Sequence, residues 1–123
     1  MTRELSIETV AVHQLKPHPQ NPRLHSKRQI RQIAESIKAF GFRMPVVIDR
    51  DNRLICGHAR TEACKLSGVK DVPAVRVTDL DDAQIRGLMI ADNRLTEVSE
   101  WDDQLLGEHL KAFTDLDLSF DIE

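Results

Sequence analysis

Tyrosine is absent from this 123-residue chain, tryptophan occurs once and phenylalanine four times. So few aromatic rings disfavour a platform that stacks the bases of a single nucleic-acid strand. Two cysteines, Cys56 and Cys64, are too few for a disulfide scaffold. No apolar run approaches the ~20 residues of a membrane span. The opening Met1–Val10 lacks the apolar core of a secretory signal. The expected compartment is therefore the cytoplasm, with no membrane partner. Internal repeats and low-complexity stretches are missing. So are a Gly-x-Ser-x-Gly elbow and the Ser-His-Asp order of a triad hydrolase. Cys56, His58 and Cys64 match no zinc-ligand spacing. Cys64 is expected in the core, and His13, His18, His25 and His109 on the surface.

What is present suits one soluble domain: 41% hydrophobic and 30% charged residues. The net charge of −3 conceals an asymmetry. Residues 1–60 carry eleven Lys/Arg against five Asp/Glu, and residues 61–123 carry six against fifteen. A basic first half can meet phosphate, or the halves can neutralise each other in the fold.

Residues 1–9 read as a loose lead-in, and Val10–Val12 as a short strand. Leu15–Arg23 holds three prolines, which exclude a helix or a ladder interior and leave a stiff extended loop. Ser26 and Gln29 fit a capping box. Ile30, Ile33, Ala34 and Ile37 follow at helical spacing, and Gly41 can close the helix in a left-handed cap. The pattern predicts an amphipathic helix over 27–40, with Gln29, Gln32 and Ser36 on its polar face. Pro45–Asp49 and Arg53–Cys56 form a hairpin across Asp51-Asn52. At Gly57 the pattern turns helical and runs to Gly68. Val72–Val77 is a strand, Thr78–Asp82 a capping region, and 82–93 a helix leading into Asp92-Asn93-Arg94. Ser99 caps a last helix of about 100–113, with Leu105, Leu106, Leu110 and Phe113 inward. Asp115–Asp121 alternates like a strand and reads as the approach to a second domain. The order describes a small α+β domain with a helical extension.

Three segments can carry chemistry. Ile55–Ala63 runs a strand through Gly57 into a helix. Such an N-terminus offers backbone N–H groups and the positive dipole end, glycine admits close approach, and Arg60 adds a fork donor. The bland alternative is a strand–helix junction that binds nothing. Asp92, Asn93 and Arg94 gather a carboxylate, an amide and a guanidinium at a helix end. They can serve Mg²⁺ and phosphate, or simply cap the helix. Gln32 and Ser36 can hydrogen-bond a ligand or face solvent.

Taken in order, the proline box Leu15–Arg23, the helix segment Ile33–Ile37, the hairpin Pro45–Cys56, the Gly57-His58-Ala59-Arg60 junction and the Ala91–Arg94 cluster resemble the ParB N-terminal domain. That is the ParB/sulfiredoxin fold, a small mixed sheet with packed helices and, here, a C-terminal helical extension. The resemblance covers residues 10–98, leaving 1–9 as lead-in and 99–123 as extension and tail. It implies binding of a nucleoside triphosphate, CTP or ATP, with Mg²⁺. In ParB a Gly-Glu-Arg-Arg segment wraps the phosphates and a Glu-Asn pair helps hold Mg²⁺. Gly57 and Arg60 match the outer residues of that segment, while His58 and Ala59 replace its Glu and an Arg. Asp92 and Asn93 match the pair, with Arg94 in support. In sulfiredoxin the catalytic Cys occupies the position of His58, so sulfinic acid reduction is not expected. Gln32 and Ser36 correspond to helix positions that face the nucleotide there. The fold also hosts an ADP-dependent serine kinase. Trp101-Asp102 after the cluster resembles a bacterial and phage subgroup that stands before DNA methyltransferases.

Three readings follow. The first is a nucleotide-binding regulatory module of a DNA-modification or partition protein, with DNA and a second copy as partners. The second is a DNA-binding module without nucleotide, using Lys27, Arg28, Arg31 and Lys38. The third is an NTPase, nuclease or kinase, for which Glu35 is the nearest candidate base.

Overall fold

The computed structural model describes residues 5–21, 23–97 and 100–115. Among them are four strands and four α-helices, in the order β1 (Ile7–Ala11), α1 (Lys27–Phe40), β2 (Val46–Ile48), β3 (Leu54–Cys56), α2 (His58–Ser67), β4 (Asp71–Arg76), α3 (Asp82–Glu97) and α4 (Asp103–Asp115). A single 3₁₀ turn, Val12–Gln14, follows β1. The strands form one mixed sheet in the order β1-β4-β2-β3. β4 runs antiparallel to β1 and parallel to β2, and β2 and β3 are the antiparallel hairpin. This is the expected α+β class.

The sheet separates two apolar cores. Val46, Ile48, Leu54, Val72 and Ala74 point to one face, against Ala34 and Ile37 of α1 and Ala63 and Cys64 of α2. On the other face Ile55, Val47 and Cys56 meet Ile85, Leu88 and Met89 of α3. Period-two alternation explains Val46, Val47 and Ile48. It fails on β3, where the pairing jumps from Ile48–Leu54 to Val47–Cys56. The extra residue is a β-bulge that re-aims the strand end. It puts Ile55 and Cys56 on the same side, immediately before Gly57.

Local signals account for the helix ends. Ser26 Oγ accepts from the Gln29 N–H at 3.0 Å, starting α1 where expected. The box is only half made, because the Gln29 amide oxygen lies 2.9 Å from His25 Nδ1. Gly41 closes the helix with φ +82° but an extended ψ of 170°, so the cap is not the left-handed helical one expected. At α3 the box is complete: Asp81 Oδ1 accepts from the Gln84 N–H, and Gln84 Oε1 from the Asp81 N–H.

Several expectations need correction. The first strand starts at Ile7, inside the segment read as lead-in. α3 continues through Asp92-Asn93-Arg94 to Glu97, so the cluster lies on a helix face rather than after its end. α4 is capped by Asp102, whose carboxylate accepts from the Leu105 N–H, and Leu105 is exposed. Ser99, the Phe113 side chain and the alternating tail beyond residue 115 fall outside the described residues. Among the described residues no helix is long and apolar enough to cross a membrane.

Candidate functional site

The β3–α2 junction is fixed by steric necessity. Gly57 has φ +100° and ψ 19°, and a Cβ built on it would lie 2.6 Å from Val46 Cγ1. Both the backbone angle and the close neighbour demand glycine. No side chain caps the helix at Gly57. The first turn of α2 thus opens onto a cleft of about 160 Å³.

Three polar segments far apart in sequence, together with Ile33 of α1, line that cleft. Cys56, Gly57, His58, Ala59 and Arg60 form one wall, and Asp92 and Asn93 of α3 another, with Asp92 bonded to Cys56. Asn21, Arg23 and His25 come from the proline-rich loop. The structure therefore brings together six of the sequence-derived candidates: Gly57, His58, Ala59, Arg60, Asp92 and Asn93. The loop residues were missed, because their approach to the cleft depends on tertiary folding-back that no local periodicity encodes.

The other candidates lie apart from this cleft. Ser36 lines a neighbouring apolar cleft of about 350 Å³ with Ile33, Ile37, Phe40 and Phe42, to which Arg60 also contributes. Gln32 is half-buried on α1 and lines neither. Arg94 is exposed and pairs with Glu97 at 3.3 Å. Lys27, Arg28 and Arg31 are exposed along the first half of α1, outside the cleft. Glu35 is 3.6 Å from Lys38 on the same helix.

Polar contacts tie the three segments together. Arg23 Nη1 donates to Asn93 Oδ1 at 3.3 Å and lies 4.0 Å from Glu97. The His18 N–H donates to His58 Nε2 at 3.2 Å, linking the loop to the first residue of α2. His18 and His25 are thus half-buried around the cleft rather than on the open surface. Arg60 is half-buried and reaches the Met44 carbonyl at 3.4 Å.

The titrating groups follow from these surroundings. Burial pushes the Cys56 thiol up to about 11, and the Asp92 carboxylate and its hydrogen bond reinforce this against the opposing charge of Arg60. Cys56 is therefore a thiol rather than a thiolate at neutral pH. Burial also lowers the His58 pKa, with the neighbouring His18 and His25 acting in the same direction. Among the described residues no group of three His, Cys, Asp or Glu can hold a metal alone. Asp92 on the wall carries a carboxylate that shares a hydrogen bond with the Cys56 thiol. The Asn93 oxygen is already engaged by Arg23.

The ParB N-terminal domain model matches residues 1–94. The ParB-like nuclease domain-containing protein YnaK of Escherichia coli is 37% identical over 84 residues, covering 68% of this chain and 97% of that protein. A probable chromosome-partitioning protein ParB of Rickettsia typhi is 30% identical over 70 residues, covering 56% of this chain. The match spans only 24% of that longer protein. Among solved structures, C-terminally truncated ParB of Caulobacter crescentus complexed with CTP-gamma-S superposes with a TM-score of 0.70 at 19% identity, covering 79% of this chain and 56% of that one. Sulfiredoxin of Arabidopsis thaliana superposes at 0.56 with 14% identity, covering 68% of this chain and 97% of that one. Both likenesses are of fold.

Proposed function

Because the chain belongs to the ParB N-terminal domain family, we propose that it is a nucleotide-binding module of a DNA-associated protein. Its ligand is a nucleoside triphosphate of the CTP or ATP type, with Mg²⁺. One observation carries the reading: one cleft is lined both by the uncapped start of α2 with Arg60 and by Asp92 and Asn93. Helix-start N–H groups and a guanidinium favour phosphate, and a carboxylate in the same cleft favours the accompanying cation. The Caulobacter relative holding CTP-gamma-S supports the same reading.

Each residue then has a role. Gly57 admits the phosphates to the backbone, and His58, Ala59 and Arg60 offer N–H groups. The Arg60 side chain forks onto phosphate oxygens. Arg23, bonded to Asn93, has a stronger anionic partner once phosphates are present, which frees the Asn93 oxygen to join Asp92 at Mg²⁺. Mg²⁺ neutralises phosphate charge there. The adjoining apolar cleft, which shares Ile33 and Arg60, is the place for a base, with Ser36 as its polar contact.

DNA contact belongs to Lys27, Arg28 and Arg31, which present cationic side chains outside the cleft. Such binding weakens steeply with salt.

Calorimetric titration with CTP, ATP and ADP in Mg²⁺ tests the reading. Arg60→Ala should weaken binding by about 1.5–3 kcal/mol, the worth of a charged hydrogen bond. Absence of binding by all three, or unchanged affinity in the variant, contradicts it.

A further inference from the structure

Two imidazole nitrogens accept backbone N–H groups of the proline-rich loop. The His18 N–H donates to His58 Nε2 at 3.2 Å, across forty residues of chain. Two residues further along the loop, the Gln20 N–H donates to His18 Nδ1 at 3.1 Å. Each bond requires a bare ring nitrogen, which the doubly protonated imidazolium does not have. Backbone N–H groups of a loop are more often met by carbonyls, carboxylates or water than by two titratable rings in series.

We propose that these contacts form a proton-sensitive latch: neutral His58 holds the His18–Gln20 segment of the loop against α2, and protonation of His58 releases it. The surroundings set the direction. His58 is the first residue of α2, where the positive end of the helix dipole opposes a cation. Facing it from the loop are Arg23, His18 and His25, and from its own helix Arg60 and Lys65. Opposing these are Glu62 on α2 and Asp92 on α3, with the neutral Cys56 thiol on β3. A proton at Nε2 removes the acceptor, sets one N–H against another, and adds positive charge beside five basic or titratable neighbours. The closed loop favours neutral His58, so the contact holds at neutral pH and is lost as pH falls below the ordinary imidazole range near 6.5. The latch does not depend on what occupies the cleft. It does bear on access, because Asn21, Arg23 and His25 of the same loop form the third wall.

Nuclear magnetic resonance of the whole chain without nucleotide tests this directly. Long-range ¹H–¹⁵N spectra at pH 7.5 should show His58 Nε2 unprotonated. Amide-exchange protection at His18 should fall at least tenfold between pH 7.5 and 5, with a midpoint matching the titration of the His58 ring. His58→Leu should lack that protection even at pH 7.5. A protonated Nε2 at pH 7.5 overturns the proposal. So does a His18 amide that stays protected while His58 titrates, or one still protected in His58→Leu.

Discussion

Asp49 shows how much one buried side chain can organise. It is 3% exposed at the end of β2. Its carboxylate accepts from the Asp51 and Arg53 N–H groups at 2.8 and 2.9 Å and from Arg53 Nε at 2.7 Å. Burial pushes its pKa up, but the backbone bonds and the Arg53 guanidinium outweigh this and hold it below the ordinary value. The unfolded chain binds a proton near pH 3.9 and the folded one only at lower pH. Asp49 therefore stabilises the fold above that value, and the contribution is lost as acid carries the pH down through the folded pKa. Asp49→Asn should cost about 1–3 kcal/mol at pH 7, and the gap to wild type should narrow in acid. Urea unfolding at pH 7 and pH 3 reads both quantities. A variant with an unchanged pH 7 midpoint would show that the hairpin turn holds without the carboxylate.

Among elements, α1 was the most legible in sequence and the proline-rich loop the least. Ser26, the 3.6-residue spacing of Ile30, Ile33, Ala34 and Ile37, and Gly41 are all local signals, and they mark the same boundaries as the structure. β1 was read short because it lies at the sheet's edge. Ile7 is 65% exposed, and Val10 alone of the strand is buried, so the alternation that identifies a half-buried strand is faint. The β3 bulge was invisible because one extra residue leaves no mark in composition. In the cleft, the Gly57–Arg60 and Asp92–Asn93 walls were raised by local pattern, which left a bland alternative open to each, and the resemblance to a family favoured the functional one. The loop wall depends on single contacts such as Arg23 to Asn93, which join residues seventy positions apart. The half-made cap of α1 gives a prediction at this scale. Ser26→Ala removes the side-chain bond from the cap residue to the first turn, and should cost about 1 kcal/mol. Denaturant midpoints measure it. A loss of less than a few tenths would mean that the His25–Gln29 contact suffices to start the helix.

For the molecule as a whole, the cleft has walls that rest on different cores. α2 packs with α1 on one face of the sheet, and α3 packs on the other. Met89 anchors α3 at 1% exposure, one turn before Asp92. Met89→Ala should cost 2–5 kcal/mol, the usual range for emptying such a site. It should lower amide protection along α3 more than along α1, since the first core keeps its contacts. Equal loss along both helices would show that the two cores open as one unit. The charge asymmetry of the sequence is also partly resolved across the fold. Arg76 from the acidic half holds Glu8 from the basic half at 2.6 Å, and Arg23 reaches toward Glu97.

The strand order has a consequence for how the chain matures during synthesis. β4 is the last described strand to be made, yet it lies inside the sheet, between β1 and β2. Until residue 76 is available, β1 has no partner, and the earlier strands can offer only the short β2–β3 hairpin. A two-stranded ribbon of that size is marginal in water. A nascent chain would therefore hold β1 unpaired and accessible to chaperones. Arrival of one six-residue segment then closes the sheet from both sides at once.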